Sequence, residues 1–397
     1  MPPSSSSPGT CFSALSRLQQ GLAQLEADEV LRSRLLLESP QGVNVRVNGR
    51  DVISFCSNDY LGLANEPALT AAAEQLLRQC GLGAGASHLI TGHHVLHQQF
   101  EDAFAAFVGK PAALLFSTGY MANLGVLTAL LDRHGEVFAD KLNHASLNDA
   151  AQLCGATFSR YGHGNIDQLE SLLAKSRERT KLIVSDLVFS MDGDIVDVDG
   201  LLSLAERYDA WLFLDDAHGF GVLNDGRGGL TQAARQSDRV IYLATLGKAA
   251  GVFGAALAAH QSVIQWLVQK ARPYVYTTAM PPLLAGALLE SLKLIQAGGA
   301  RRDRLRRHVA ALRRGLADWP RWQLLHSTTP IQPLVVGSNA NAVNVSKKLL
   351  ERGLLVPAIR TPTVPRNTAR LRITLSSAHR EEDIVRLCDA LHEIAET

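Results

Sequence analysis

The chain alternates between stretches whose apolar residues recur every three or four positions and short runs that are apolar almost throughout. Four such runs stand out: AALLFS (112–117), KLIVSDLVFS (181–190), AWLFLDDAHG (210–219) and VIYLATLG (240–247). Apolar runs of this length suit strands covered on both faces. Between them, 121–131, 166–176 and 198–208 carry helical spacing. Strand and helix in alternation predict βαβ units and a mostly parallel sheet sandwiched by helices.

On either side the pattern changes. Residues 12–37 have helical periodicity, and VNVRVNGRDVISF (43–55) alternates about Asn48-Gly49. That dipeptide suits the positive φ angles of a two-residue hairpin turn. Beyond Pro281, a helix is expected over 282–297 and an arginine-rich one over 301–316, then strands at 332–337 and 370–375 separated by helices. The expected fold class is α/β. A tail, helix and hairpin span 1–55, a large α/β domain spans 56–285, and a smaller C-terminal α+β domain spans 286–397.

Composition narrows the function classes. A formal net charge of +1 over 397 residues gives no field for nucleic acid or an anionic membrane. The five cysteines (Cys11, Cys56, Cys80, Cys154, Cys388) show no CxxC spacing, which argues against a zinc site or disulfide framework and for a reducing compartment. The opening MPPSSSSPGT lacks a basic segment followed by an apolar one, so a frayed tail is expected rather than a signal peptide. The apolar stretch 283–295 is broken by Glu290 and Lys293 before it reaches bilayer length. A cytoplasmic protein that binds neither membrane nor metal is the expectation.

Several predicted strands end in chemically active residues, where open α/β sheets place their ligand crevice. Lys248, in TLGKA (245–249), directly follows an apolar strand and a glycine. Desolvation there lowers a lysine's pKa and supplies a free amine, although a lysine in a surface turn is the commoner case. DDAHG (215–219) sets two carboxylates and a histidine after WLFL. Asp215 and His218 suit the nitrogen and phenolic oxygen of a pyridine ring, while Asp216 suits the capping of a turn. A metal at this motif would need a further His or Glu in recognisable spacing, and none is evident. STGY (117–120) joins a strand to a helix, whose first N–H groups favour a phosphate. GLGAGAS (81–87) misses the GxGxxG frame.

Eight segments then stand in a specific order: SNDYLGL (57–63), GASHLITGHHVLHQQFE (85–101), FSTGYMAN (116–123), DKLNHASL (140–147), FSMDGD (189–194), DDAHGFG (215–221), TLGKAAG (245–251) and YTTAMPP (276–282). Together they resemble the α-oxoamine synthases, a branch of the fold-type I pyridoxal-phosphate transferases, over about 54–379. IRTPTVP (359–365) and TARLRITLSSAH (368–379) resemble the biotin-synthesis branch, which uses L-alanine and pimeloyl-CoA or pimeloyl-carrier protein. Siblings that use glycine differ in these segments. Two positions depart from the pattern: His93, where Asn is frequent, and Thr361, where a second Pro is common.

The resemblance implies pyridoxal 5′-phosphate as cofactor, an acyltransferase reaction and a homodimer. It implies Lys248 as the Schiff-base lysine and Asp215 as the partner of the ring nitrogen. His218 and Ser190 become contacts of the phenolic oxygen, and His144 the residue stacked on the ring. Gly119, Tyr120 and Thr245 would lie around the phosphate, with Thr277 and Thr278 reaching the other subunit's phosphate. Arg372 would pair with the amino acid's carboxylate. Asn58, Arg360, Thr363 and Arg32 complete the implied substrate contacts.

Overall fold

The computed structural model describes residues 14–28, 30–317 and 321–396. The polar tail over 1–10, Cys11 and the first positions of the expected N-terminal helix lie outside them. The described helix, Ala14–Ala27, is shorter than the periodicity suggested. It is followed by an irregular, largely exposed segment that bridges back to the hairpin through Leu37 and Val47.

Fourteen strands occur among the described residues: β1 (Asn44–Val47), β2 (Arg50–Ser54), β3 (Ala112–Phe116), β4 (Gly135–Asp140), β5 (Thr157–Tyr161), β6 (Thr180–Asp186), β7 (Ala210–Asp215), β8 (Val240–Thr245), β9 (Ala255–Ala259), β10 (Gln323–Leu324), β11 (Ile331–Gly337), β12 (Leu354–Leu355), β13 (Ala358–Ile359) and β14 (Ala369–Thr374). Seven form the central sheet, in the order β3-β9-β8-β7-β6-β4-β5. β4 through β8 run parallel, while β9 is antiparallel to both β3 and β8. The architecture is the α/β class expected from the pattern, with one antiparallel strand inserted in the sheet.

Side-chain alternation divides the sheet's two faces cleanly. Leu182, Val184, Phe213, Ile241 and Leu243 point into one apolar layer, with Leu127 and Leu147 from helices Gly119–Leu130 and Ala145–Leu153. Ile183, Leu212, Leu214, Tyr242 and Ala244 point into the other, with Phe104, Leu173, Leu201 and Leu288 from four further helices. Burial on both faces explains why these strands read as continuous apolar runs.

The hairpin turn holds Asn48 at φ 48° and Gly49 at φ 75°, as the sequence predicted. β2 also pairs in parallel with β12, which ties the hairpin to the C-terminal segment. A four-stranded antiparallel sheet, β10-β11-β14-β13, carries Arg370 and Arg372 on β14. No single described helix is long and apolar enough to cross a membrane. Helices Pro282–Gln296 and Gly299–Gly315 pass that test only as a pair bent by 67°, and they bury Leu288, Leu292, Ile295 and Leu305 in the core.

Candidate active site

A cavity of about 180 Å³ opens at the carboxyl ends of β6, β7 and β8. Gly119, Tyr120, Asn123, His144, Asp186, Ser190, Asp215, His218, Thr245 and Lys248 are among its walls. Eight of these ten were singled out in the sequence. Asp215 and Thr245 are the last residues of β7 and β8, and Lys248 follows three residues after β8.

Lys248 Nζ lies 2.8 Å from His218 Nε2. Burial pulls the amine's pKa down to about 8, against the opposing pull of the Asp215 carboxylate. His218 is held well below its usual pKa by burial, and the nearby Lys248, Arg372 and His144 add to that. Its Nδ1 is 2.6 Å from the Tyr60 hydroxyl, which also reaches Asn58 Oδ1 at 3.1 Å.

Asp215 accepts from Asn123 Nδ2 at 2.9 Å and from the Ala217 N–H at 3.1 Å. His144 caps helix Ala145–Leu153: its Nδ1 accepts from the Ser146 N–H and lies 2.7 Å from the Ser146 hydroxyl. Its own backbone N–H donates to Asp186 Oδ2 at 2.7 Å. Thr118 caps helix Gly119–Leu130 by accepting from Met121 N, and Gly119 and Tyr120 of that helix's first turn line the cavity. A Cβ at position 119 would come within 3.1 Å of Thr245 Oγ1, so glycine keeps that corner open.

Arg372 stands close by, buried on β14. Its Nε donates to the Ser190 carbonyl at 2.6 Å, and both terminal nitrogens reach Asn58 Oδ1 at 3.2 Å. A hydrogen-bonded chain therefore runs Lys248–His218–Tyr60–Asn58–Arg372.

The donor set fits pyridoxal phosphate. An amine of depressed pKa, a buried carboxylate, a neutral imidazole and an uncrowded helix N-terminus all face one small cavity. The buried Asn123 Oδ1, with no partner of its own, adds an open acceptor at the same wall.

Residues 50–391 match the family model for aminotransferase class I and II. The 8-amino-7-oxononanoate synthase of Thiobacillus denitrificans is 68% identical over 96% of this chain and 99% of its own length. The chain belongs to the 8-amino-7-oxononanoate synthase family. A solved synthase of that name from Francisella tularensis is 32% identical, with a TM-score of 0.75 over 87% of this chain and 97% of that one. A serine palmitoyltransferase from S. paucimobilis, solved with bound PLP, is 25% identical with a TM-score of 0.90, covering 98% of this chain and 99% of that one. Pyridoxal phosphate is the cofactor of this synthase family, and its chemistry is acyl transfer.

Seven residues that the resemblance implied do not line the cavity: Arg32, Asn58, Thr277, Thr278, Arg360, Thr363 and Arg372. Asn58 and Arg372 are joined to it through the Ser190 carbonyl and the Tyr60–His218 chain. Arg32 is exposed in the irregular segment after the first helix. Thr278 forms a bridge with Ser87, and Thr363 N–H donates to the Arg360 carbonyl in a turn. Conversely, Tyr60, Asn123, Ser146 and Asp186 carry contacts that the sequence did not assign. Tyr60, Asn123 and Ser146 sat inside quoted segments. Asp186 had a further signal, a carboxylate closing a strand just as Asp215 does.

Proposed function

We propose that the chain condenses L-alanine with a pimeloyl thioester, carried by CoA or a carrier protein, giving 8-amino-7-oxononanoate, free thiol and carbon dioxide in biotin synthesis. The observation that carries this reading is the convergence of Lys248, Asp215 and His218 on one small cavity, with Arg372 bonded to the carbonyl of its wall residue Ser190, in a chain 68% identical to an 8-amino-7-oxononanoate synthase. Bound pyridoxal phosphate supplies an electrophilic carbonyl for amines and a ring that takes up the electron pair released at the substrate's α-carbon.

The chain's own residues do the rest. Lys248 Nζ accepts the α-proton of alanine, helped by a pKa of about 8 that keeps part of it neutral near physiological pH. With the cofactor bound, Asp215 would pair with the ring nitrogen and keep it protonated. His218 and Ser190 would hold the phenolic oxygen, His144 would meet the ring, and Gly119, Tyr120 and Thr245 would hold the phosphate. Arg372 holds the alanine carboxylate in a planar fork, with Asn58 fixing the guanidinium. As the α-carbon bonds to the acyl carbonyl, the carbon–sulfur bond breaks and thiolate leaves, to be protonated by solvent. The bond to the original carboxylate then breaks, carbon dioxide departs, and Lys248 returns a proton to the α-carbon.

The reading includes a cytoplasmic homodimer in which Thr277 and Thr278 serve the partner subunit's phosphate. Arg360, Thr363 and Arg32 would meet the acyl chain. In support, β13 ends at Ile359, paired with Arg370 two residues from Arg372.

The test is thiol release by the purified protein. Release with L-alanine and pimeloyl-CoA, and not with glycine and acetyl-CoA or succinyl-CoA, is expected. Release only with a glycine pair would assign the chain to a glycine-using sibling.

A further inference from the structure

Away from the active site, His88, His93 and His97 converge so that one ring nitrogen from each lies within 4.8 Å of the others. His88 belongs to a π-helical turn, His88–Gly92, and His97 to the first turn of helix Val95–Val108. The reaction uses none of the three.

Their orientation is fixed from outside the cluster. His88 stacks on Tyr274 with centroids 4.6 Å apart and planes 12° from parallel. His97 Nε2 is 2.8 Å from the Met280 carbonyl, so that nitrogen carries the proton and donates it. This leaves Nδ1 of His97 as the lone pair, bonded at 2.9 Å by the His94 N–H. A histidine whose second nitrogen donates to a carbonyl has the usual outer-shell arrangement of a metal ligand. His88 Nδ1 and His93 Nδ1 face each other at 3.1 Å. Two nitrogens on one tetrahedral zinc, each about 2.0–2.1 Å from the ion, stand about 3.3 Å apart.

We propose that His88, His93 and His97 form a binding site for a divalent transition-metal ion of the zinc class. Three imidazoles, with no thiolate or carboxylate among the converging ligand atoms, select such an ion over magnesium or calcium. Closing the triad needs movement of up to about 1.5 Å by the third ligand and exchange of its bond to His94 N–H for one to the metal. An adjoining cavity of about 380 Å³, walled by His88, His93, Gln98 and Asp102, gives the ion a path and room for water as fourth ligand.

The ion would act as a structural clamp. The turn it joins is tied to the 277–280 segment by the Ser87–Thr278 bridge and by the Ala279 N–H bond to the Ala86 carbonyl. His97 already holds Met280 in the same segment.

The experiment uses untagged holoenzyme, dialysed against a chelator and titrated with zinc chloride by calorimetry, beside the variants His93→Asn and His88→Gln. One saturable equivalent per chain with a micromolar or tighter Kd, weakened at least about tenfold in each folded variant, is the expected result. Thermal melts should show a zinc-dependent rise in Tm for the parent and none for His93→Asn. Cobalt chloride in place of zinc should give visible absorption of tetrahedral intensity. Equal binding by the parent and both variants, or no saturable binding by the parent, overturns the proposal.

Discussion

Asp186 and Asp215 are register partners, side by side at the ends of adjacent parallel strands β6 and β7. Two buried carboxyls at this spacing ionise together only at high cost. Burial pushes Asp186 well above the usual carboxylate range, and the neighbouring Asp215 pushes it further. Asp186 therefore keeps its proton while accepting from the His144 N–H. The isosteric, neutral Asp186→Asn should leave cofactor affinity within about threefold of the parent, because little charge is removed. Asp215→Asn should slow α-proton exchange of bound alanine by about a hundredfold or more. Proton NMR in deuterated water, with cofactor titrations of both variants, checks the pair. Equal losses in the two would show that Asp186 works as a second anion.

Lys248 gives a pH prediction whose sign is fixed by two opposing causes. Burial lowers its pKa to about 8, and Asp215 raises it. In protein stripped of cofactor, the rate at which Lys248 captures added pyridoxal phosphate should rise with pH through a midpoint near 8, trapped with borohydride and read by mass. Asp215→Asn removes the raising influence, so its midpoint should fall below the parent's. A midpoint near the ordinary 10.5 of lysine would mean the amine is not desolvated.

Much of this architecture is legible in the sequence because the chemistry sits on local pattern. Lys248 and Asp215 each follow a run apolar enough to be a buried strand, and Asn48-Gly49 specifies its own turn. What escaped the pattern depends on tertiary context. β9 is AALAA, a composition that favours helix by propensity. It becomes a strand because small side chains fit where both faces are fully buried between β3 and β8. β4, GEVFAD, hides its polar end by bonding Glu136 to the Ser159 hydroxyl of β5. Tyr60 meets His218 across 158 residues, a contact that no local spacing announces. The seven implied residues that line no wall of this cavity were assigned by resemblance alone.

Arg372 should be intolerant of the substitution that keeps its charge. Its fork is fixed by the Ser190 carbonyl, Asn58 Oδ1 and the Thr374 hydroxyl. A lysine ammonium cannot make these bonds and a bidentate pair at once. Losing one charged hydrogen bond costs about 1.5–3 kcal/mol. Arg372→Lys should accordingly raise the KM for L-alanine by about 10- to 100-fold, with the cofactor's absorbance spectrum unchanged. Steady-state kinetics with saturating acyl thioester reads this directly, and an unchanged KM would remove Arg372 from the carboxylate site.

Tyr60 acts through His218. Neutral imidazole has one donor and one acceptor nitrogen, and the Tyr60 hydroxyl at 2.6 Å from Nδ1 decides which is which. Tyr60→Phe retains the buried ring and deletes that bond, worth about 1 kcal/mol. The kcat should fall by about five- to tenfold and its pH profile should shift, with KM for alanine little changed. A stability loss with kcat and pH profile intact would make Tyr60 a packing residue only.

Asp216, one residue beyond Asp215, serves the fold rather than the reaction. Its Oδ2 accepts from the Tyr242 hydroxyl at 2.8 Å and the Gly229 N–H at 2.7 Å, and it lines no part of the cavity. Complete burial raises its pKa from 3.8 to about 7. The unfolded chain releases this proton near 3.8 while the folded chain keeps it to about 7. Its contribution to stability is therefore full below the lower value and is lost as pH rises toward the upper one. Asp216→Asn keeps an acceptor for both bonds but cannot ionise. The variant should lose less Tm than the parent between about pH 4 and pH 7, and should keep kcat within about threefold. Melts of both proteins across that range decide it: parallel Tm curves would mean that Asp216 titrates alike in the folded and unfolded chains.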